Sequence, residues 1–390
     1  MRGLRGLWLQ ALRPTFAPLL DTDIPSGVSV FLESGTALKV RWMIKFCKRL
    51  LVYWIIGRLC GFVRYGDRVV TGAEKKILWI NLSAPSLGDA MVDLAPVRML
   101  SGMEVWLLTS PKNAFLFEGS EEFHWVGSSI RLLREASGSA FDLVIVDSLS
   151  PRVLWTKIRV TPAVKFCSIY GFVNGFDIHR LEFGCDRVAS IFSRARQRGD
   201  VPLLGESAVN FEYKMPSSFI VIAVGGEWDF RTYKNWVAVI GLIRQRSEMP
   251  IVLVGSNNGT ADAEAISAAG FGEVINVVGR TGFHEAVAWI RNAALFVGAD
   301  GGLWHASCAV GRPSVVLFAE CEIYNRDGSR CLRIPLDKRD CVGLYDDVEV
   351  SRIEPSVIAN AALRFLAKAD FDTCSKYRAE LDSRVGKIDQ

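Results

Sequence analysis

An aspartate, two glycines and a histidine stand close together in GADGGLWHASCAVGRPSVVLF, residues 298–318. Asp300 closes an apolar run that reads as a strand, and the segment from Leu303 reads as a helix. Gly301 and Gly302 let the chain turn sharply and come close to a ligand. The helix start then offers free N–H groups and the positive end of its dipole, which suits a phosphate. His305, in the first turn, can donate to a phosphate oxygen or a sugar hydroxyl. The same residues also fit an aspartate-capped strand-to-helix turn with a satisfied histidine, and the spacing alone leaves both readings open.

Two further stretches have the same form. In LSAPSLGDAMVD, residues 82–93, Gly88 and Asp89 open a helix after a strand. Asp89 is either a cap or a carboxylate facing a cleft, ready to take a proton. Asp93, one turn on, is expected to face solvent or a neighbouring helix. In GGEWDFRTYKNW, residues 225–236, two glycines end a strand, and Arg231 and Lys234 precede a helix. These cations can neutralise a departing diphosphate or simply line a solvated loop. Asp147 follows the strand FDLVIVDS and is a less specific candidate.

The elements that must position these residues alternate in two series. The chain has 390 residues, half of them hydrophobic, which suits two domains of common size. Short apolar runs alternate with helical patterns from residue 76, break off around 181–215 in a charged, Gly- and Pro-containing connection, and restart at FIVIAVGG. Alternation of this kind predicts parallel sheets covered on both faces, with ligands at the carboxyl ends of the strands. The expected organisation is an N-terminal extension over 1–75, a first Rossmann-like domain over 76–200, a second over 216–370 and a C-terminal helix over 371–390.

Several classes of function are excluded. No GxGxxG opens a helix after a first strand and no GxxxxGK[ST] occurs, so neither a nicotinamide or flavin site nor a P-loop is expected. The four histidines do not pair at metal-ligand spacing, and the nine cysteines are scattered as reduced thiols would be. The net charge of +4 is small and accompanies no nucleic-acid-binding signature.

The extension carries its own signal. MRGLRGLWLQALRP is Arg-rich and acid-poor, but lacks the long apolar core and cleavage site of a secretion signal. Residues 39–68 interleave eight basic residues with aromatic and aliphatic ones, and the apolar run from Leu50 to Gly57 falls far short of the roughly 20 residues of a membrane span. Arg41, Lys45, Lys48 and Arg49 share a helical face. Such a helix can lie on an anionic membrane surface, or pack on the protein body with its basic face solvated.

In order and content these pieces resemble the heptosyltransferase family of bacterial glycosyltransferases. NLSAPSLGD matches the family's first turn, FDLVIVD its next strand, Lys234-Asn235-Trp236 its Lys-x-Trp, and VINVVGRTGFHEAVAWIRNA and ADGGLWHASCAVGRPSVVLF its later blocks, over about residues 76–370. The resemblance implies a GT-B fold, with two Rossmann-like halves facing a cleft, the donor held in the second and the acceptor in the first. It also implies an inverting, metal-independent transfer from a nucleotide-diphosphate sugar, with no cofactor. Asp89 would be the base, and Gly88, Arg231, Lys234, Asp300, Gly301, Gly302 and His305 would hold the substrates. The acceptor would be a lipid-linked or lipopolysaccharide-core glycan, and the enzyme cytoplasmic, peripheral on the inner face of the membrane. The alternatives are another GT-B enzyme such as a nucleotide-sugar epimerase, or a non-catalytic sugar-binding or membrane-associated relative. The sequence departs from the family pattern at Gly301, where Ser or Thr is usual, and at AECEIYNRDGS, which replaces a short Gly-rich turn.

Overall fold

The computed structural model describes residues 36–60, 70, 73–171, 180–195, 201–206, 214–319, 341–346 and 348–368. The chain divides into two compact units; described residues up to 206 lie in the first and those from 214 on in the second. The expected C-terminal helix over 371–390, the N-terminal peptide before residue 36 and most of the AECEIYNRDGS insertion lie outside the described residues.

The first unit is a five-stranded sheet, all parallel, in the order β3-β2-β1-β4-β5. Its strands are β1 (Lys76–Asn81), β2 (Glu104–Thr109), β3 (Trp125–Gly127), β4 (Leu143–Val146) and β5 (Phe166–Ser168). Their near-continuous burial explains why they read as unbroken apolar runs: a parallel sheet covered on both faces has no solvated side to impose alternation. Helix α1 (Thr36–Cys60) precedes the sheet. Then come α2 (Leu87–Leu94), followed by a 3-10 turn over Ala95–Leu100, the short α3 (Pro111–Ala114), α4 (Ile130–Ser137), α5 (Pro151–Val160) and α6 (Arg180–Phe192). One core joins Leu78, Ile80, Val144 and Val146 of the sheet to Val153 and Leu154 of α5.

Helix α1 belongs to that core. Tyr53 is buried against Phe166, with ring centroids 6.5 Å apart, and Leu50 and Ile56 pack beside it. The opposite face leaves Ile44, Leu51, Trp54 and Ile55 exposed beside the exposed Lys48 and Arg58. Arg49 departs from the expected basic face. It is partly buried, and burial lowers its pKa while the nearby Asp147 carboxylate opposes that shift.

The second unit is a six-stranded parallel sheet in the order β11-β10-β9-β6-β7-β8. The strands are β6 (Ile220–Ala223), β7 (Ile251–Val254), β8 (Val274–Asn276), β9 (Leu295–Ala299), β10 (Ser314–Ala319) and β11 (Cys341–Asp346). The connecting helices are α7 (Trp236–Arg244), α8 (Thr260–Ala268), α9 (Phe283–Asn292) and α10 (Gly302–Ala309), and α11 (Pro355–Lys368) packs on α7. Trp236, Val239, Ile240 and Ile243 of α7, with Ile358 and Ala362 of α11, cover the face of β6, β7 and β9.

Elements that the sequence reading did not name include β3, β11 and α6. β3 is three residues long and β11 follows the insertion, so neither shows a strand period. The expected connection over 181–215 begins instead with α6, whose pattern Gly184 interrupts. A Cβ there would sit 3.1 Å from Pro96 Cγ, so glycine serves close packing against the 3-10 turn at the cost of helix propensity.

Candidate functional site

In an open parallel sheet, ligands gather where the strand order reverses, outside the carboxyl ends. In the second unit that point lies between β6 and β9. Asp300 follows β9, and its backbone N–H donates to Leu317 O at 2.9 Å, extending the sheet edge by one residue. Its side chain does not cap α10; the cap position is Gly301, and among the described residues no side chain caps the helix there. The capping reading of Asp300 therefore falls. Its carboxylate instead meets Arg231 Nη1 at 3.6 Å and His305 Nε2 at 3.9 Å. His305 is mostly buried in the first turn of α10. An acid, a cation and an imidazole thus converge on a helix start, an arrangement able to hold sugar hydroxyls and an anion together.

Gly301 corrects the expectation of a sharp glycine turn. Its φ of 173° is extended backbone open to any residue, and a Cβ would find nothing nearer than Ala299 O at 4.0 Å. What glycine leaves at this position is open space above the helix start. Backbone geometry does demand glycine at Gly225, after β6, with φ +82°.

The loop from Gly225 to Lys234 is fastened at both ends. Asn258 donates from Nδ2 to Gly226 O at 2.5 Å, tying the loop to the one after β7. Tyr233 is buried and donates to Ile353 O at 3.0 Å, and burial pushes its phenol up to about 12, so it remains a neutral donor. Arg231 and Lys234 flank that anchor. The Lys234 ammonium is exposed and acts electrostatically on Asp262 of α8.

In the first unit the order reverses between β1 and β4. Asp147 follows β4 and is buried there. It accepts from Leu82 N at 2.7 Å, Ser83 N at 2.5 Å and Ser83 Oγ at 3.2 Å, so it pins the start of the turn that leads to Asp89. Burial pushes its carboxyl up to about 6, with the Ser83 amide opposing. Asn81 and Thr109, register partners at the ends of β1 and β2, are fully buried, and among the described residues their side-chain polar atoms have no hydrogen-bond partner.

Asp89 is not a helix cap. Ser86 is the N-cap and accepts from Asp89 N at 3.2 Å, while its hydroxyl donates to Asp89 Oδ2 at 2.6 Å. Gly88, in the first turn of α2, is buried. Asp89 Oδ1 takes a hydrogen bond from Arg180 at the start of α6. Of the two placements expected for Asp93, the neighbouring helix holds and solvent does not. Asp93 is buried, and Arg180 grips both its oxygens, Nε to Oδ1 at 2.5 Å and Nη2 to Oδ2 at 2.7 Å. Tyr170 donates to Asp93 Oδ1 at 2.7 Å. Burial works against the Arg180 charge, but Asp93 and Asp89 outweigh it and hold its pKa well above the ordinary value. Arg180 was missed in sequence because nothing local marks a partner 91 residues from Asp89.

Two parallel Rossmann-like sheets, with charged residues gathered where each reverses, are the arrangement that the comparisons also find in glycosyltransferases. The chain is heptosyltransferase-like; residues 193–324 match the family model of glycosyltransferase family 9 (heptosyltransferase). Among solved structures, the glycosyl transferase family 9 protein of Veillonella parvula DSM 2008 is 11% identical, with a TM-score of 0.58 over 77% of this chain and 99% of that one. The E. coli ADP-heptose lipopolysaccharide heptosyltransferase II is 18% identical, at 0.52 over 75% and 99%. The E. coli heptosyltransferase WaaC, solved with ADP-2-deoxy-2-fluoro heptose, is 16% identical, at 0.50 over 75% and 99%. At these identities the likeness is one of fold. No curated protein matches the chain.

Proposed function

We propose that the chain transfers a sugar, heptose or a related one, from a nucleotide-diphosphate donor to a lipopolysaccharide-core or similar glycan, with inversion and without a metal. The observation that carries this is the Asp300 carboxylate, released from capping and gathered with Arg231 and His305 at the strand reversal of the matched segment. In this reading Asp300 holds donor hydroxyls and His305 a hydroxyl or phosphate oxygen. Arg231, Lys234 and the amides at Gly301 and Gly302 take up the charge of the departing nucleotide diphosphate. Asp89 accepts the acceptor hydroxyl's proton, the freed oxygen bonds to the anomeric carbon, and the carbon–phosphate oxygen bond breaks with its electron pair leaving on the diphosphate.

The donor is tested by thermal unfolding with ADP, UDP, GDP, dTDP and ADP-heptose. A ligand at about 100 times its Kd stabilises by roughly 2.7 kcal/mol, so the true donor should raise Tm by several degrees. ADP and ADP-heptose are expected to do so; a set of flat traces would sink the donor reading.

The exposed face of α1 supports docking on an anionic membrane. Ile44, Leu51, Trp54 and Ile55 form an apolar stripe beside Lys48 and Arg58, and among the described residues no helix is long and apolar enough to cross a membrane. Deleting the segment would strip Tyr53 from the core, so point variants are the better probe. A Leu51→Glu, Trp54→Glu, Ile55→Glu variant should keep its Tm but lose co-sedimentation with phosphatidylglycerol vesicles. Undiminished co-sedimentation would show that this face is not the docking surface.

A further inference from the structure

Arg180 is the first residue of α6, where the helix dipole disfavours a cation. It is also buried, which costs a charge its hydration. Two carboxylates one turn apart on α2 account for its presence. Asp93 takes a bidentate grip from Nε and Nη2, and Asp89 takes Nη1. Tyr170 reinforces the brace twice, by its bond to Asp93 and by its ring, 5.2 Å from the guanidinium carbon.

The two aspartates occupy different environments. Asp93 is sealed in, whereas the Asp89 side chain keeps 13% of its exposure. With Arg180 on Oδ1 and the Ser86 hydroxyl on Oδ2, the Asp89 carboxylate has one fixed plane. A carboxylate has about four lone-pair sites, so sites remain to receive a proton. A planar guanidinium is suited to this task because its fork binds two carboxylates in set directions and does not itself titrate.

We propose that Arg180 is a positioning residue: braced on Asp93, it holds the Asp89 carboxylate in the one orientation from which it takes the acceptor proton. The proposal rests on the reading of Asp89 as the base. The proton passes from the acceptor hydroxyl to a free lone pair of Asp89, and the guanidinium stays charged throughout.

The test uses Asp93→Asn as its background, because removing Arg180 alone strands a buried charge and can unfold the protein. Asparagine keeps an acceptor for Tyr170. In that background Arg180→Met should fold, with kcat for ADP release from ADP-heptose and heptose-deficient lipopolysaccharide falling about tenfold to a hundredfold below Asp93→Asn alone. KM for ADP-heptose should stay within about twofold, since Arg231, Asp300 and His305 are untouched. Arg180→Lys should restore stability but not rate, because one ammonium lacks the fork. A crystal structure of the double variant should show the Asp89 carboxylate rotated from its place, a readout that does not depend on having the right substrates. An unmoved carboxylate, or a kcat equal to that of Asp93→Asn, overturns the positioning role. Undiminished turnover by Asp89→Asn instead sinks the base reading, a result the Arg180 variants cannot produce.

Discussion

Asp89→Asn is expected to lower kcat for sugar transfer by about a thousandfold, within the 10²–10⁴ span of positioned acid–base catalysis. The substitution is close to isosteric. Its amide oxygen can face Arg180 as Oδ1 now does, and its amide nitrogen can donate to Ser86 Oγ, so the N-terminal turn of α2 should survive. What it loses is the capacity to take a proton. Donor affinity should be unaffected, because the Asp300, Arg231 and His305 cluster lies in the other unit. The thermal shift produced by ADP should therefore match the wild type within a degree or so. A variant turning over at more than a tenth of the wild-type rate would show that another group accepts the proton. Loss of the ADP-induced shift would show that Asp89 holds the donor.

Gly225→Ala is expected to destabilise the second unit by about 2–5 kcal/mol and to abolish donor binding. Gly225 has φ +82°, and holding an L-residue in left-handed backbone costs roughly 1–2 kcal/mol. A Cβ there would also lie 2.7 Å from Asn258 Oδ1 and 2.9 Å from the Gly259 backbone, and such overpacking adds roughly 1–3 kcal/mol. The Gly259 backbone cannot yield as the Asn258 side chain could. The displaced segment is the one that carries Arg231 to Asp300, so loss of stability and loss of donor response share a cause. Gly301→Ser is the contrasting variant. Its φ is extended and its surroundings open, so it should cost no more than about 0.5 kcal/mol. Chemical denaturation of both variants, with and without ADP, checks the pair. Equal losses would mean that the two glycines are used alike.

Much of the candidate site was legible because its residues fall in the turns that follow apolar runs. In a parallel sheet the carboxyl ends of the strands lie along one edge, so Asp89, Arg231 and Asp300 could be picked out before any strand order was known. Local pattern misled where a residue type has more than one use. Gly301 looked like a sharp turn and is extended backbone with open space beside it. Arg49 shared a helical face with Arg41, Lys45 and Lys48, which suited either a membrane contact or a solvated face, but it is partly buried and feels the Asp147 carboxylate.

The sequence by itself determined two alternating α/β units and the polar turns that follow their strands, since burial on both faces writes each parallel strand as an unbroken apolar run. Tertiary structure alone decided which carboxylate is sealed and which stays open. That outcome depends on Arg180 arriving from a helix 91 residues away, and on Asp147 reaching across the strand reversal to the turn before Asp89. Such pairings are set by strand order and crossover, and neither has a period that a linear pattern can carry.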